Sequence, residues 1–407
     1  MKKLALVSAI ALAATGQAMA AGYKIPENSI NSMALSAAYV ANAHGADAAY
    51  FNPAAMVFNE SGASLEADLN IIHLTSIDYA EAGGSDSSKK EDFLIPSFHY
   101  VSPEAGNARF GLSVVTPAGL SKRWPAIGAA TSEEFTLKTV EINPSAAYKV
   151  NNQFSVAAGA RVIYSKGVVK SGSPALAFRD MEGDSFDFGY NLALLFKPTD
   201  SLSLAATYRS KIDLTVEGNA KIGSTANYVP VYNGDVSVMV PVPAALNLAA
   251  AYDITPSTTI ELVYERTYWS AYDQLDFNYP IDLTTAFGGV FAPFDTPSIK
   301  NWSDSNSYRI GLSHRLNGKW DLMAGFAYDK TPVDKRYVGF ELPDTDAKIF
   351  SFGARYQYSD KLSIGGAFLY DKKDKLTLTP ADGNSLNTAT FENAEAYLFT
   401  VGMEYKF

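Results

Sequence analysis

The last eleven residues alternate strictly. Tyr397, Phe399, Val401, Met403, Tyr405 and Phe407 fall on one face, while Thr400, Gly402, Glu404 and Lys406 fall on the other. A period of two with one apolar and one polar side is the pattern of a β-strand, not of a helix. Three further segments repeat it. Trp320, Leu322, Ala324, Phe326 and Tyr328 oppose Asp321, Met323, Gly325 and Ala327; Phe350, Phe352, Ala354, Tyr356 and Tyr358 oppose Ser351, Gly353, Arg355 and Gln357; Tyr308, Ile310, Leu312 and Leu316 oppose Ser307, Arg309, Gly311, Ser313 and Arg315. A sheet built from such strands must cover its apolar face with a second sheet or with lipid.

The connections decide between these. Short polar turns at Val150–Gln153, Lys197–Asp200, Asp253–Ser257, Leu316–Lys319 and Tyr358–Lys361 alternate with long connections at about 80–92, 121–134, 170–184, 222–234, 279–301, 330–347 and 375–393. Short turns on one side and long loops on the other are the asymmetry of an outer-membrane barrel. Between them lie fourteen predicted strands, at roughly 62–79, 92–102, 107–120, 135–150, 153–169, 185–197, 201–221, 235–252, 258–278, 302–316, 319–329, 347–358, 361–374 and 394–407. The fold class is therefore all-β, a transmembrane antiparallel barrel. Tyr397, Phe399, Tyr405 and Phe407 lie near the ends of the last outward stripe, where aromatic girdles sit.

The N-terminus fits export. Lys2 and Lys3 precede an apolar run from Leu4 to Ala14, and Ala18-Met19-Ala20 supplies small residues for cleavage. Residues 1–20 thus read as a signal peptide, with Ala21 as the mature start. The run is too short to span a membrane as a helix, and no later stretch reaches 18 uninterrupted apolar residues. The formal charge of −10 argues against a nucleic-acid partner, which needs clustered cations. The chain has no cysteine, and His44, His73, His99 and His314 lack metal-ligand spacing. No Gly-x-Ser-x-Gly elbow occurs. The reading is accordingly of a barrel that is not an enzyme and holds no metal or cofactor, expected as a monomer.

Residues 21–61 do not read as strands. Ser29 or Asn31 could cap a short helix through Met33, Ala34, Leu35 and Ala38. A barrel of fourteen strands has more room inside than side chains fill, so this segment is expected to be a hatch plugging the barrel of residues 62–407. Asn52 and Pro53, a cap followed by a first-turn proline, are expected to anchor it.

The sequence also resembles a known family. Ala21-Gly22-Tyr23, Asn52-Pro53-Ala54, Thr116-Pro117-Ala118-Gly119-Leu120 followed by Trp124, Val242-Pro243-Ala244 opening the eighth strand and Thr267-Tyr268-Trp269-Ser270 in the ninth come in succession. Trp302-Ser303-Asp304, Tyr308-Arg309-Ile310-Gly311, Tyr328-Asp329-Lys330-Thr331-Pro332-Val333 and Leu342-Pro343-Asp344 follow. In this order they resemble the FadL/TodX (OmpP1) family of outer-membrane transporters for long-chain fatty acids and hydrophobic compounds, over Ala21 to Phe407. The resemblance implies a fourteen-stranded barrel with an N-terminal hatch and an internal hydrophobic pocket. It also implies a kinked third strand that opens the wall sideways to outer-membrane lipid.

Pro117 and Gly119 fit that kink, since proline cannot donate to the ladder and glycine weakens pairing. A fatty-acid carboxylate calls for a cation in the pocket. The resemblance places a basic residue on the fifth strand at Lys166, and a second before Tyr308-Arg309 where this chain has Ser303. Alternation along Phe154, Val156, Ala158, Ala160, Val162 and Tyr164 instead puts Arg161 inside and Lys166 in the outward register; both cannot point inward without a bulge. Arg309, Arg315 and Arg355 are further inward cations. Two external connections are apolar: one with Pro174, Ala175, Leu176, Ala177 and Phe178, the other with Ile281, Leu283, Phe287, Val290, Phe291 and Phe294. They are expected to capture ligand first. A general diffusion porin is the alternative function.

Overall fold

The computed structural model describes residues 22–172, 177–225 and 229–407. The signal peptide, Ala21, Pro174, Ala175 and Leu176 lie outside the described residues. Among those described, eighteen stretches form one sheet. Three strands are each split in two and a fourth carries a short extension, so these stretches make a closed antiparallel barrel of fourteen strands.

We label them β1 to β14. They are β1 (Ser64–Leu74), β2 (Glu91–Val101), β3 (Ala108–Val115 and Gly119–Lys122), β4 (Glu134–Lys149), β5 (Phe154–Gly172), β6 (Ala177–Thr199) and β7 (Leu202–Arg209 and Ile212–Ser224). Then come β8 (Pro230–Val242 and Ala245–Thr255), β9 (Thr258–Thr267, extended by Phe277–Asn278), β10 (Ser305–Arg315), β11 (Trp320–Asp329), β12 (Ala347–Gln357), β13 (Leu362–Lys373) and β14 (Glu395–Lys406). The ladder from Ser64↔Lys406 to Leu74↔Ala396 joins β1 to β14 and removes both edges.

Alternation holds on the outside. Phe352 and Val401 are 62% and 58% exposed, and Phe326, Phe350, Ile310 and Leu312 lie on the same outer surface. So broad an apolar belt is stable only against lipid. Two expected loops are instead largely strand: β5 runs to Gly172 and β6 starts at Ala177, while β7 runs to Ser224 and β8 starts at Pro230. The first strand ends at Leu74, and Asp78–Glu81 joins Gly84–Ser87, Leu376–Leu378 and Ala389–Glu392 in a separate four-stranded sheet.

Three strands break where a residue is inserted. Between Val115↔Glu141 and Gly119↔Lys138, β3 advances four residues against three in β4. In β7 and β8 the inward parity flips: Ala205 and Thr207 are buried below the break and Ile212 and Leu214 above it, Ala249 and Ala251 below and Tyr232 and Val236 above. Each is the consequence of a bulge, which turns every later side chain to the other face. Val242-Pro243-Ala244 therefore lies within the eighth strand and does not open it.

The N-terminal segment packs inside. Ser29 caps a helix over Ile30–Ala34, its Oγ accepting from Ser32 N at 3.2 Å. Asn52 caps the turn Pro53–Phe58 by accepting from Ala54 N (3.1 Å) and donates to Val40 O at 2.9 Å. Luminal side chains hold the segment: Glu261 accepts from the backbone of Val40 and Ala41 at 2.7 and 2.6 Å, Arg309 donates to Ser36 O at 3.0 Å, and Arg355 to Asn31 Oδ1 at 2.7 Å. These bonds satisfy backbone groups that burial would otherwise orphan.

Candidate ligand-binding site

A pocket with about 760 Å³ of empty space, its open mouth included, lies between the N-terminal segment and the long connections. Its walls come from the upper parts of β3 to β8: Leu120, Leu137, Val169, Met181, Val216, Val236 and Val238. The parity flips in β7 and β8 are what turn Val216 and Val236 inward. An apolar cleft with few polar groups suits a hydrophobic ligand.

Tyr23 forms the floor. Its ring meets Trp269 edge-on at 4.7 Å and lies 6.0 Å from Tyr272 and 5.9 Å from Trp302, and its hydroxyl donates to Pro241 O at 2.5 Å. Trp269 and Trp302 are themselves 4.9 Å apart. Among the described residues neither indole N–H has a hydrogen-bond partner. Gly22 before them has φ of 72°, and a Cβ there would lie 2.5 Å from the Trp269 ring, so the approach requires glycine.

The polar side is an ion pair between Lys300 and Glu341, contributed by two different long connections. Burial pushes the Glu341 carboxyl up, but the Lys300 ammonium beside it pulls further, leaving it below the ordinary carboxylate range.

The floor segment also meets the break in β3. Ile25 N donates to Pro117 O and Gly119 N donates to Tyr23 O, both at 2.9 Å. Thr116 N donates to Asn28 Oδ1 at 3.2 Å. Pairing of β2 with β3 stops at Phe98↔Val114. Tyr23 to Asn28 thus occupy, like a short extra strand, the place where β2 and β3 part.

The family model for the outer membrane protein transport proteins (OMPP1/FadL/TodX) matches residues 11–407. The chain belongs to this family. Its place is accordingly the outer membrane of a Gram-negative bacterium. Over the whole chain this FadL/TodX-family barrel is 24% identical to a long-chain fatty acid transport protein of Escherichia coli O6:H1, 98% of which is covered. It is also 24% identical to outer membrane protein P1 of Haemophilus influenzae, covering 100% of both chains. Among solved structures, a FadL homologue of Pseudomonas aeruginosa superposes with a TM-score of 0.80 at 19% identity, covering 95% of this chain and 100% of that one. The toluene transporter TodX of P. putida superposes at 0.68 and 16%, covering 93% and 98%.

Within the barrel the expected site residues do not come together. Arg161 points inward, as alternation requires, but is 2% exposed and bound to Glu141 (2.9 Å) and Ser210 O (2.6 Å). Lys166 points outward and pairs with Glu182. Arg309 is spent on Asp329 (3.4 Å) and Ser36 O. Phe178 sits on β6, not in a loop, and its strand position faces away from the pocket. Phe287 is exposed beside the buried Phe291, ring centroids 6.4 Å apart, in the outer connection. That connection is clamped to β6 by Arg179, whose guanidinium lies 4.9 Å from the Phe277 ring and 5.3 Å from Phe294. Tyr23, Trp269 and Trp302 were visible as motifs, but their meeting around one pocket was not. Lys300 and Glu341 carried no local signal at all.

Proposed function

We propose that this barrel carries long-chain fatty acids or similar hydrophobic molecules across the outer membrane. Ligand is captured at the outer connections, held in the aromatic pocket, and released sideways where β3 breaks. The observation that carries this reading is that one short segment does two things. Tyr23 forms the pocket floor, and its own backbone, with that of Ile25, closes the breach at Pro117 and Gly119. Ligand that displaces Tyr23 therefore loosens the stopper in the wall, and a hydrophobic molecule gains by leaving directly into lipid. The names of the relatives, transporters of fatty acids and of toluene, agree with such a cargo. The filled lumen argues against the general diffusion porin.

The test restores the strand. Pro117→Thr combined with Gly119→Val should let β2 and β3 pair past the break, and uptake of labelled oleate by cells that depend on this protein should drop about tenfold or more. Oleate binding to the purified barrel should persist. Unchanged uptake would show that cargo leaves by another route. Free passage of small polar solutes through the unaltered protein would favour the porin.

A further inference from the structure

Resting on that reading, we propose that Glu91 is the upper latch of the break in the wall. Its carboxylate ties β2 to β3 at the membrane surface, confines the opening to the acyl layer, and so admits slender hydrophobic tails while excluding bulky ones.

The two edges of β2 are held differently. β1 pairs with it along its whole length, from Ser64↔Val101 to Leu74↔Glu91. On the other side the ladder to β3 covers only Val101 to Phe98. Above that, residues 92–97 pair with no residue of β3 among the described residues, and Tyr23 to Asn28 fill the space, with Asn28 O 3.0 Å from His99 Nε2 of β2. The strands meet again at their upper ends. There Lys89 N donates to Arg123 O at 2.9 Å, and Ser121 Oγ and Arg123 Nη1 (3.0 Å) both donate to the same Glu91 oxygen. Arg123 also reaches Glu134 of β4 at 3.3 Å, so the tie spans three strands. Lys122, between Ser121 and Arg123, is buried, and the charge that acts most on it is again Glu91.

The level of the tie decides its role. Ile71 and Leu94, paired across β1 and β2, are 44% and 47% exposed on the outer surface. The next outward pair is His73 and Asp92, bonded at 2.7 Å. An apolar row followed by an ionisable one marks the edge of the hydrocarbon. The unpaired stretch thus faces the acyl layer, and the enclosed Glu91 closes it at the upper boundary. From Glu91 to Phe98 that edge is roughly 23 Å long at about 3.3 Å per residue. A tail lying along it can leave without Glu91 moving. A wider group must part the upper ends as well, which strips a buried carboxylate of two donors.

The experiment compares a slender tail with a bulky one. Uptake of labelled oleate and of pyrenyldodecanoate, whose tail ends in fused aromatic rings, is measured in cells that depend on this protein. The unaltered barrel should carry oleate and largely exclude the pyrenyl compound. Glu91→Ala should raise pyrenyldodecanoate uptake about tenfold, equivalent to roughly 1.4 kcal/mol of lost closure, and leave oleate within about twofold. Arg123→Met should act in the same direction. Glu91→Gln still accepts from Ser121 and Arg123 and should keep the exclusion. Adding Lys89→Cys and Arg123→Cys to Glu91→Ala supplies a disulfide where the two backbones already meet. Oxidised, it should restore the exclusion without slowing oleate; reduced, it should not. Exclusion left intact by both Glu91→Ala and Arg123→Met, loss of oleate uptake when the disulfide forms, or free uptake of pyrenyldodecanoate by the unaltered barrel would overturn the proposal. If the unaltered barrel carries neither probe, it is the transport reading that fails.

Discussion

Gly325 gives a direct handle on how the N-terminal segment is held. It faces inward on β11, opposite Gly311 of β10, and Gly353 lies nearby on β12. Together they leave a shallow groove in the wall in which residues 34–38 lie. A Cβ at Gly325 would stand 2.2 Å from the carbonyl carbon of Leu35 and 2.6 Å from Ser36 N, so backbone, not a flexible side chain, would have to move. Overpacking of this kind costs about 1–3 kcal/mol. At about 2 kcal/mol the ratio of released to docked segment rises roughly 30-fold. Alanine is itself better than glycine inside a strand, so the barrel wall does not weaken. Gly325→Ala should therefore give more frequent open events in planar-bilayer conductance and faster proteolysis of the N-terminal segment, with the folded barrel still migrating as such on unheated gels. The reverse change is also available. Ser36 and Ala37 both hold positive φ, 49° and 60°; Ala37→Gly removes a strain of about 1 kcal/mol and should make openings rarer. Openings and proteolysis in Gly325→Ala no different from the unaltered protein would refute the groove as the element that seats the segment.

Three further outcomes follow from the same packing. Burial lifts the Glu27 carboxyl from 4.5 to about 7, more than Arg309 lowers it, so docking of the segment is strongest below pH 4.5 and is progressively lost as pH rises toward 7; amide exchange of residues 22–40 should be faster at pH 8 than at pH 5, and Glu27→Gln, which should flatten that difference, argues against this account if the difference survives. Glu141 serves both Arg161 and Arg209; Glu141→Ala strands two cations and should cost about 3–5 kcal/mol in thermal or urea unfolding, and a loss under about 1 kcal/mol would mean the arginines find other partners. Asn52→Ala removes the cap of Pro53–Phe58 and leaves Val40 O without its donor; about 2 kcal/mol of docking should go, read as increased proteolysis near residue 59, with no increase counting against the anchor.

The barrel was legible because lipid and lumen impose a period of two over strand after strand. Every stripe read from the sequence, from Tyr308 to Phe407, lies on the side expected of it. Arg161 shows where that legibility stops. Parity placed it inside correctly, yet whether an inward cation is free depends on register, which brings Glu141 beside it from the neighbouring strand. Alternation carries no information on that partner, so an occupied charge and an open one look alike in the sequence.

The pocket was hidden for a related reason. A strand's parity can be extrapolated only while no residue is inserted, and β3, β7 and β8 each insert one just below the cavity. Pro117 and Pro243 flag two of the breaks, but the third, at Ser210 and Lys211, has neither proline nor glycine. It is fixed by tertiary contacts: Arg161 takes Ser210 O at 2.6 Å, Ser210 Oγ takes Tyr190 N at 2.9 Å, and Gly189 leaves room for Ile212, whose Cγ1 would be 2.6 Å from a Cβ there. Continuing the lower parity through Ser210 would send Ile212, Leu214 and Val216 to lipid and Asp213 and Thr215 to the lumen, giving a polar pore. One inserted residue, held by an arginine that looked like a ligand clamp, inverts that and makes the cavity apolar. The charge expected to bind a ligand thus acts by turning the wall of the pocket.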